Sequence, residues 1–215
     1  ATQLLEDKVN NCDQQRTLST IRTSPTTAYY VDVFRSNSLV ENNFHDYIYH
    51  NLGDETQLTD SENEKFSLTP TQRYDNNIGD FVNSPGWEFF ENTLVTPTTK
   101  ERVNVRFDLN QNNRYMHMLM PGGVEREYTK ALAPPTREAS NGYMTKKTQV
   151  IAVRQKGEAW DRPFINVFEP SKDKIPSVKE VVNIFDGDKI VGIQVTSEVA
   201  GVKIIDFIIS QEDTT

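Results

Sequence analysis

The sequence predicts an all-β fold, a large antiparallel β-sandwich with few or no helices. Three observations predict it. Apolar and polar residues alternate in short runs: Val103, Val105, Phe107 and Leu109 interleave with Asn104, Arg106 and Asp108. Successive side chains of a strand point to opposite faces, so this is the pattern of a strand buried on one side. Turn-forming residues punctuate such runs at short spacing, as in Pro121-Gly122-Gly123 and Asp186-Gly187-Asp188, which is the rhythm of a sandwich or barrel. No window carries a helical stripe of apolar residues, and no repeat of about 20–50 residues marks a propeller or solenoid.

Each element follows from the same rules. Residues 10–14, which hold Cys12, read as a polar lead-in. The aromatic and β-branched run 28–35 is the first clear strand, bounded by Ser24-Pro25 and Ser36-Asn37. A second strand spans 45–51. Residues 53–86 are rich in Asp, Glu, Asn, Thr and Ser and read as a long polar excursion between sheets, of the kind that often carries function. Strands follow at 87–94, after Ser84-Pro85-Gly86, and at 103–109, 114–120 and 126–132, the last ended by Pro134-Pro135. In the C-terminal third, strands 149–155 and 164–168 flank a turn at 157–161. Strands 178–185 and 189–196 flank Asp186-Gly187-Asp188, a strong hairpin signal. Residues 202–209 form the last strand.

The chain has 215 residues, enough for one domain spanning 1–215 that buries a core without disulfides. Cys12 is the only cysteine, so no intrachain disulfide is possible. With 23 basic and 31 acidic residues the net charge is -8. That excludes nucleic acid and anionic membrane surfaces as natural partners, whereas a local cluster of cations can still attract an acidic glycan within a negative field. Mean hydropathy is -0.62, and no apolar run reaches the roughly 18–20 residues of a membrane-spanning helix. The chain opens on Ala1 with no secretion-signal pattern, which reads as a trimmed or processed start.

Candidate chemistry is sparse. His45, His50 and His117 are the only histidines. His45 and His50 are five apart, so on one strand they point to opposite faces and do not converge on a metal. In 114–120, alternation puts Tyr115, His117 and Leu119 on one face and the methionines on the other, which makes His117 a buried, hydrogen-bonded histidine rather than a general base. No nucleophile elbow, HExxH or phosphate loop is present, and no spacing singles out a carboxylate pair. Sugar contacts call for aromatic platforms and for arginines that pair bidentately with uronate carboxylates. The candidate carbohydrate-binding residues are Arg35, His45, Tyr47, His50, Trp87, Trp160 and Arg162, each with an ordinary packing or surface role as its alternative. Trp160 lies in the turn Lys156-Gly157-Glu158-Ala159-Trp160-Asp161-Arg162-Pro163, a natural place to present a ring.

Three stretches carry a family resemblance. They are YYVDVFRS followed by HDYIYHNLGD (29–54), VIAVRQKGEAWDRPFINVFEPS (150–171) and VKIIDFIIS (202–210). In this order they resemble the C-terminal β-sandwich region of heparinase II/III-like polysaccharide lyases. The resemblance implies a supersandwich-like fold and a parent enzyme whose N-terminal part is a helical toroid. Such enzymes cleave uronate-containing glycans by β-elimination, a base taking the C5 proton and a tyrosine commonly protonating the leaving oxygen. In that family the catalytic Tyr and His lie largely on the toroid, and the His-x-His motif linked to a divalent metal lies upstream of the "DvfR" strand. This sequence has no His-x-His, so no catalytic residue, metal ligand or cofactor carries over.

Asp32, Arg35, His45, Asp46, His50, Arg154, Glu169 and Pro170 match family positions and read as structural or cleft-lining. The expected function is therefore an accessory domain, inactive alone and periplasmic or secreted, with its own N-terminal helical domain and an acidic polysaccharide or its oligosaccharides as partners. A free-standing carbohydrate-binding module is the alternative. A complete small lyase using His45, Asp46, Tyr47 and His50 is a third reading, opposed by strand geometry. If another domain packs on this one, an exposed apolar patch is expected.

Overall fold

A computed structural model describes residues 2–7, 12–38, 44–72, 74, 89–110, 113–139 and 142–210. Among these there is no α-helix. Three sheets make up the molecule. A seven-stranded sheet runs in the order β1 (Thr2–Asp7), β2 (Cys12–Arg22), β3 (Ala28–Ser38), β12 (Ala159–Ser171), β9 (Arg114–Met120), β8 (Val103–Leu109), β5 (Glu55–Thr59). A five-stranded sheet runs β4 (Phe44–Asn51), β11 (Thr148–Lys156), β10 (Glu127–Ala133), β7 (Glu91–Val95), β6 (Thr69–Pro70). A three-stranded sheet runs β13 (Val178–Asp186), β14 (Lys189–Val199), β15 (Val202–Ile209). Every pairing between these strands is antiparallel, as the alternation requires.

The seven-stranded sheet is the middle layer, and β12 shows why. Its Phe164 and Phe168 enter one core with Val105 and Phe107 of β8, Met118 of β9, Tyr47 of β4 and Ile151 of β11. Its Ile165 and Val167 enter a second core with Tyr29, Val31 and Val33 of β3 and with Val181, Ile193 and Val195 of the three-stranded sheet. Odd and even residues of one strand thus feed opposite cores. The five-stranded sheet covers one face of the middle layer and the three-stranded sheet covers the other.

Neither cover spans the whole middle sheet. Tyr47 and Tyr49 of β4, an edge strand, pack over Phe34, Phe164, Phe107 and Phe168. β2 therefore extends past β4, with Arg16 and Leu18 exposed. On the opposite face the cover lies over β3, β12 and β9, which leaves the outward side chains of β8 and β5 open.

Three sequence assignments change. Residues 10–14 are not all lead-in, because β2 begins at Cys12 and pairs with β3 along its whole length. The 53–86 excursion contains a strand, β5, paired with β8 from Glu55↔Asp108 to Thr59↔Asn104. Trp160 is in a strand, since β12 starts at Ala159. The hairpin at Gly187-Asp188 is as expected, with Gly187 at a positive φ of 59° that glycine adopts at no steric cost.

The outer face of the three-stranded sheet carries several exposed apolar side chains among polar ones. Register aligns Ile184, Gly192 and Ile209 in one row and Val182, Gln194 and Phe207 in the next. Phe207 is 66% exposed and Ile209 56%. Ile209 lies on Gly192, where an added Cβ would meet the Ile208 carbonyl at 2.3 Å.

Candidate functional site

The candidate carbohydrate-binding residues do not form one site. Arg35 is 2% exposed, and its guanidinium donates to the carbonyls of Trp160, Ile190 and Ser210. It therefore ties the middle sheet to β14 and the end of β15 from inside the molecule. Trp160 is partly buried, and its backbone N–H donates to the Glu158 carboxylate at 2.8 Å. Arg162 pairs with the same carboxylate at 2.6 Å. His50 faces away from His45, on the outer side of the five-stranded sheet, with its ring 5.9 Å from that of Phe90. Trp87 lies outside the described residues.

Two of the set meet at a polar node where β4 crosses β3. The Tyr47 hydroxyl donates to Asp32 at 2.7 Å. Arg16 of β2 grips the same carboxylate with Nε at 3.0 Å and Nη2 at 2.6 Å. Four residues along β3 on the same face, Ser36 shares a hydrogen bond of 2.8 Å with His45 Nδ1. Burial and the Asp32 charge push the Tyr47 phenol far above its ordinary pKa. It stays protonated and is spent as a donor to Asp32. Burial lowers the pKa of His45. The node is thus a cross-sheet clamp whose groups already satisfy one another. Asp46 is similarly occupied, by Arg154 through a bidentate pair at 2.7 and 2.6 Å.

A different group of residues forms a groove of about 320 Å³ on the open flank of the middle sheet. Its floor is set by register. Gln57, Arg106 and His117 lie side by side on β5, β8 and β9, and Thr59, Asn104 and Leu119 form the adjacent row. One rim is the turn after β5, with Ser61, Asn63 and Lys65. The other is the segment before β13, with Lys174, Ile175 and Pro176, together with Lys179 at the start of β13. Arg102 bridges the rims, donating to the Lys179 carbonyl at 3.0 Å and the Ser61 carbonyl at 3.2 Å. His117 is buried; its Nε2–H donates to the Asp173 carbonyl at 2.9 Å, and burial lowers its pKa. It is the satisfied histidine that alternation predicts.

A larger hollow of about 590 Å³ opens at one end of the sandwich, between the turn before β3 and the segment after β12. Its Glu169 carboxylate accepts from the backbone N–H groups of Ser177 and Val178 at 2.8 and 2.9 Å, so it holds a loop. Arg114 is its only arginine. Among the described residues no group of three or more His, Cys, Asp or Glu is arranged to hold a metal.

The groove residues belong to no motif. Lys65, Arg102 and the 174–179 stretch lie in three separate segments, and the pairing of β5 with β8, of β8 with β9 and of β9 with β12 brings them together. One signal was available in the sequence: the alternating polar side of 103–109, Asn104 and Arg106, which needed a face to occupy.

No family model matches the chain. Over 210 residues, 98% of its length, it is 57% identical to the endo-acting ulvan lyase of Formosa agariphila, a polysaccharide lyase, and it spans 26% of that enzyme's length.

Proposed function

We propose that this chain is an accessory β-sandwich domain of a polysaccharide lyase of the heparinase II/III-like type, holding anionic polysaccharide and supporting the catalytic part without cleaving polymer itself. The observation that carries the proposal is the 57% identity to about a quarter of an ulvan lyase. The chemistry of the domain supports it. Three of the histidine and tyrosine candidates for base and acid are occupied inside the fold, His45 by Ser36, Tyr47 by Asp32 and His117 by Asp173, and His50 stands apart from them on the outer side of the five-stranded sheet. The exposed apolar face of the three-stranded sheet fits a surface that another part of a larger protein covers. In this reading the partners are an acidic polysaccharide and a helical catalytic domain, and the protein works in the periplasm or outside the cell, where polymer is met.

The test is direct. The 215-residue chain, incubated with ulvan, is expected to release no unsaturated product absorbing in the ultraviolet. In a pull-down on immobilised ulvan it is expected to be retained. Steady release of unsaturated product, lost on Tyr47→Phe or His117→Gln, would overturn the non-catalytic reading.

A further inference from the structure

We infer that the groove between the β5 turn and the segment before β13 is a binding site for an anionic oligosaccharide segment, one bearing carboxylate or sulfate groups. The inference rests on the accessory-domain reading and gives it a location. Among the described residues the lining contains five cations, Lys65, Arg102, Arg106, Lys174 and Lys179, and no Asp or Glu. In a chain of net charge -8 such a concentration is opposite in sign to the whole molecule. A concave site focuses its field.

The charges differ in availability. Arg106 is held by Asp108 at 2.6 Å, and its role is to shape the floor. Arg102 is fixed by two carbonyls and feels the more distant carboxylates of Asp60 and Glu180. Asp60 is turned to its own loop, where it accepts from the N–H groups of Glu62 and Glu64 at 2.8 and 2.9 Å. Lys65 and Lys174 are exposed and make no ion pair with a described residue. Among the described residues Lys179 donates to the Pro176 carbonyl and makes no ion pair. The groove therefore presents three exposed ammonium groups around a fixed guanidinium.

The neutral lining argues for a sugar. Gln57, Asn63 and Asn104 offer amides and Thr59 and Ser61 hydroxyls, a donor and acceptor set that matches sugar hydroxyls. Among the described residues no Phe, Tyr or Trp lines the groove, so these offer none of the stacking platforms that single-stranded nucleic acid uses. The floor crosses three adjacent strands, two spacings of about 4.8 Å, which is room for a short run of sugar units.

The experiment measures binding of the chain to size-fractionated ulvan fragments by titration calorimetry, with an uncharged glucan as the neutral probe. The expected result is binding to the anionic fragments only, weakened by added salt and reduced at least about tenfold by the triple variant Lys65→Glu, Lys174→Glu, Lys179→Glu. All three positions are exposed, and an unchanged melting curve checks that the fold is intact. A second triple variant, Lys147→Glu, Lys156→Glu, Lys203→Glu, makes the same change in net charge away from the groove and is expected to keep most of the affinity. Equal losses in the two variants, or unchanged binding in the first, overturn the groove and leave the accessory-domain reading standing. No binding of ulvan fragments by the unaltered chain overturns both the groove and the polymer-holding role.

Discussion

A buried carboxylate costs several kcal/mol to desolvate unless its lone pairs are filled. Asp32 is 1% exposed, and the Arg16 fork together with the Tyr47 hydroxyl fills them. Asp32→Asn keeps the shape but removes the charge and places an amide where two donors point. It is expected to cost about 2–4 kcal/mol. Arg16→Ala leaves the buried carboxylate with the Tyr47 hydroxyl alone and is expected to cost about 2–3 kcal/mol, less than a fully buried partner would because water can enter where the half-exposed Arg16 lay. Urea midpoints at constant slope check both. The histidines set a pH dependence. Burial lowers the pKa of His45, His50 and His117, so the unfolded chain takes up protons first as pH falls. Their contribution to stability is thus complete above the ordinary histidine value of about 6.5 and is lost as pH falls from there through the lower folded values. Urea midpoints measured from about pH 7.5 down to 5 are expected to fall, and His117→Gln is expected to flatten that fall. The role of His117 was legible in the sequence, because methionines on alternate positions fix which way it points. The Tyr47–Asp32 contact was not, because it joins strands of two different sheets and local periodicity carries no information about which sheets stack.

Strands that feed a core through apolar residues declared themselves, and strands that do not were missed. β12 has two apolar faces and is the keystone of the layering. Phe164→Ala opens the core shared with Tyr47 and Ala159 and is expected to destabilise by about 3–5 kcal/mol. Phe207→Ala on the outer face of β15 is expected to change stability by about 0.5 kcal/mol or less. Equal effects at the two positions would mean that the three-layer order is wrong. β2 escaped sequence reading because three of the four residues on its more buried side, Gln15, Thr17 and Ser19, are polar and only Ile21 is apolar; burial alternates along it while hydropathy barely does. β5 escaped for a related reason. It is five residues long with one large apolar side chain, Leu58, and polar sequence surrounds it. Both lie towards the edges of the seven-stranded sheet, where one face or more meets solvent and selection for apolar residues is weakest.

At the scale of the molecule, two surfaces of opposite character flank the same three-stranded sheet. The basic groove runs beside β13, and the apolar face covers the outside of β13, β14 and β15. Neither is visible as a run of sequence: a net charge of -8 hides the groove, and strand alternation distributes the apolar face over three segments. The apolar side chains Val182, Ile205, Phe207 and Ile209 are each exposed; the last three line one side of β15, and Val182 lies in the Phe207 row across Gln194, so they form a patch rather than scattered residues. A patch of this kind on an isolated domain binds hydrophobic dyes and promotes self-association. The double variant Phe207→Ser, Ile209→Ser should therefore lower dye fluorescence and shift the concentration dependence of sedimentation towards monomer, with little change in the urea midpoint because neither side chain enters a core. In a full-length protein whose other domain covers this face, the same substitutions act differently. They are expected to weaken the contact between domains and raise hydrogen exchange along β15, while affinity for ulvan fragments in the groove is unchanged. Equal dye binding by the original and the variant chains would remove the apolar face from the account and leave the groove as the one surface with a partner.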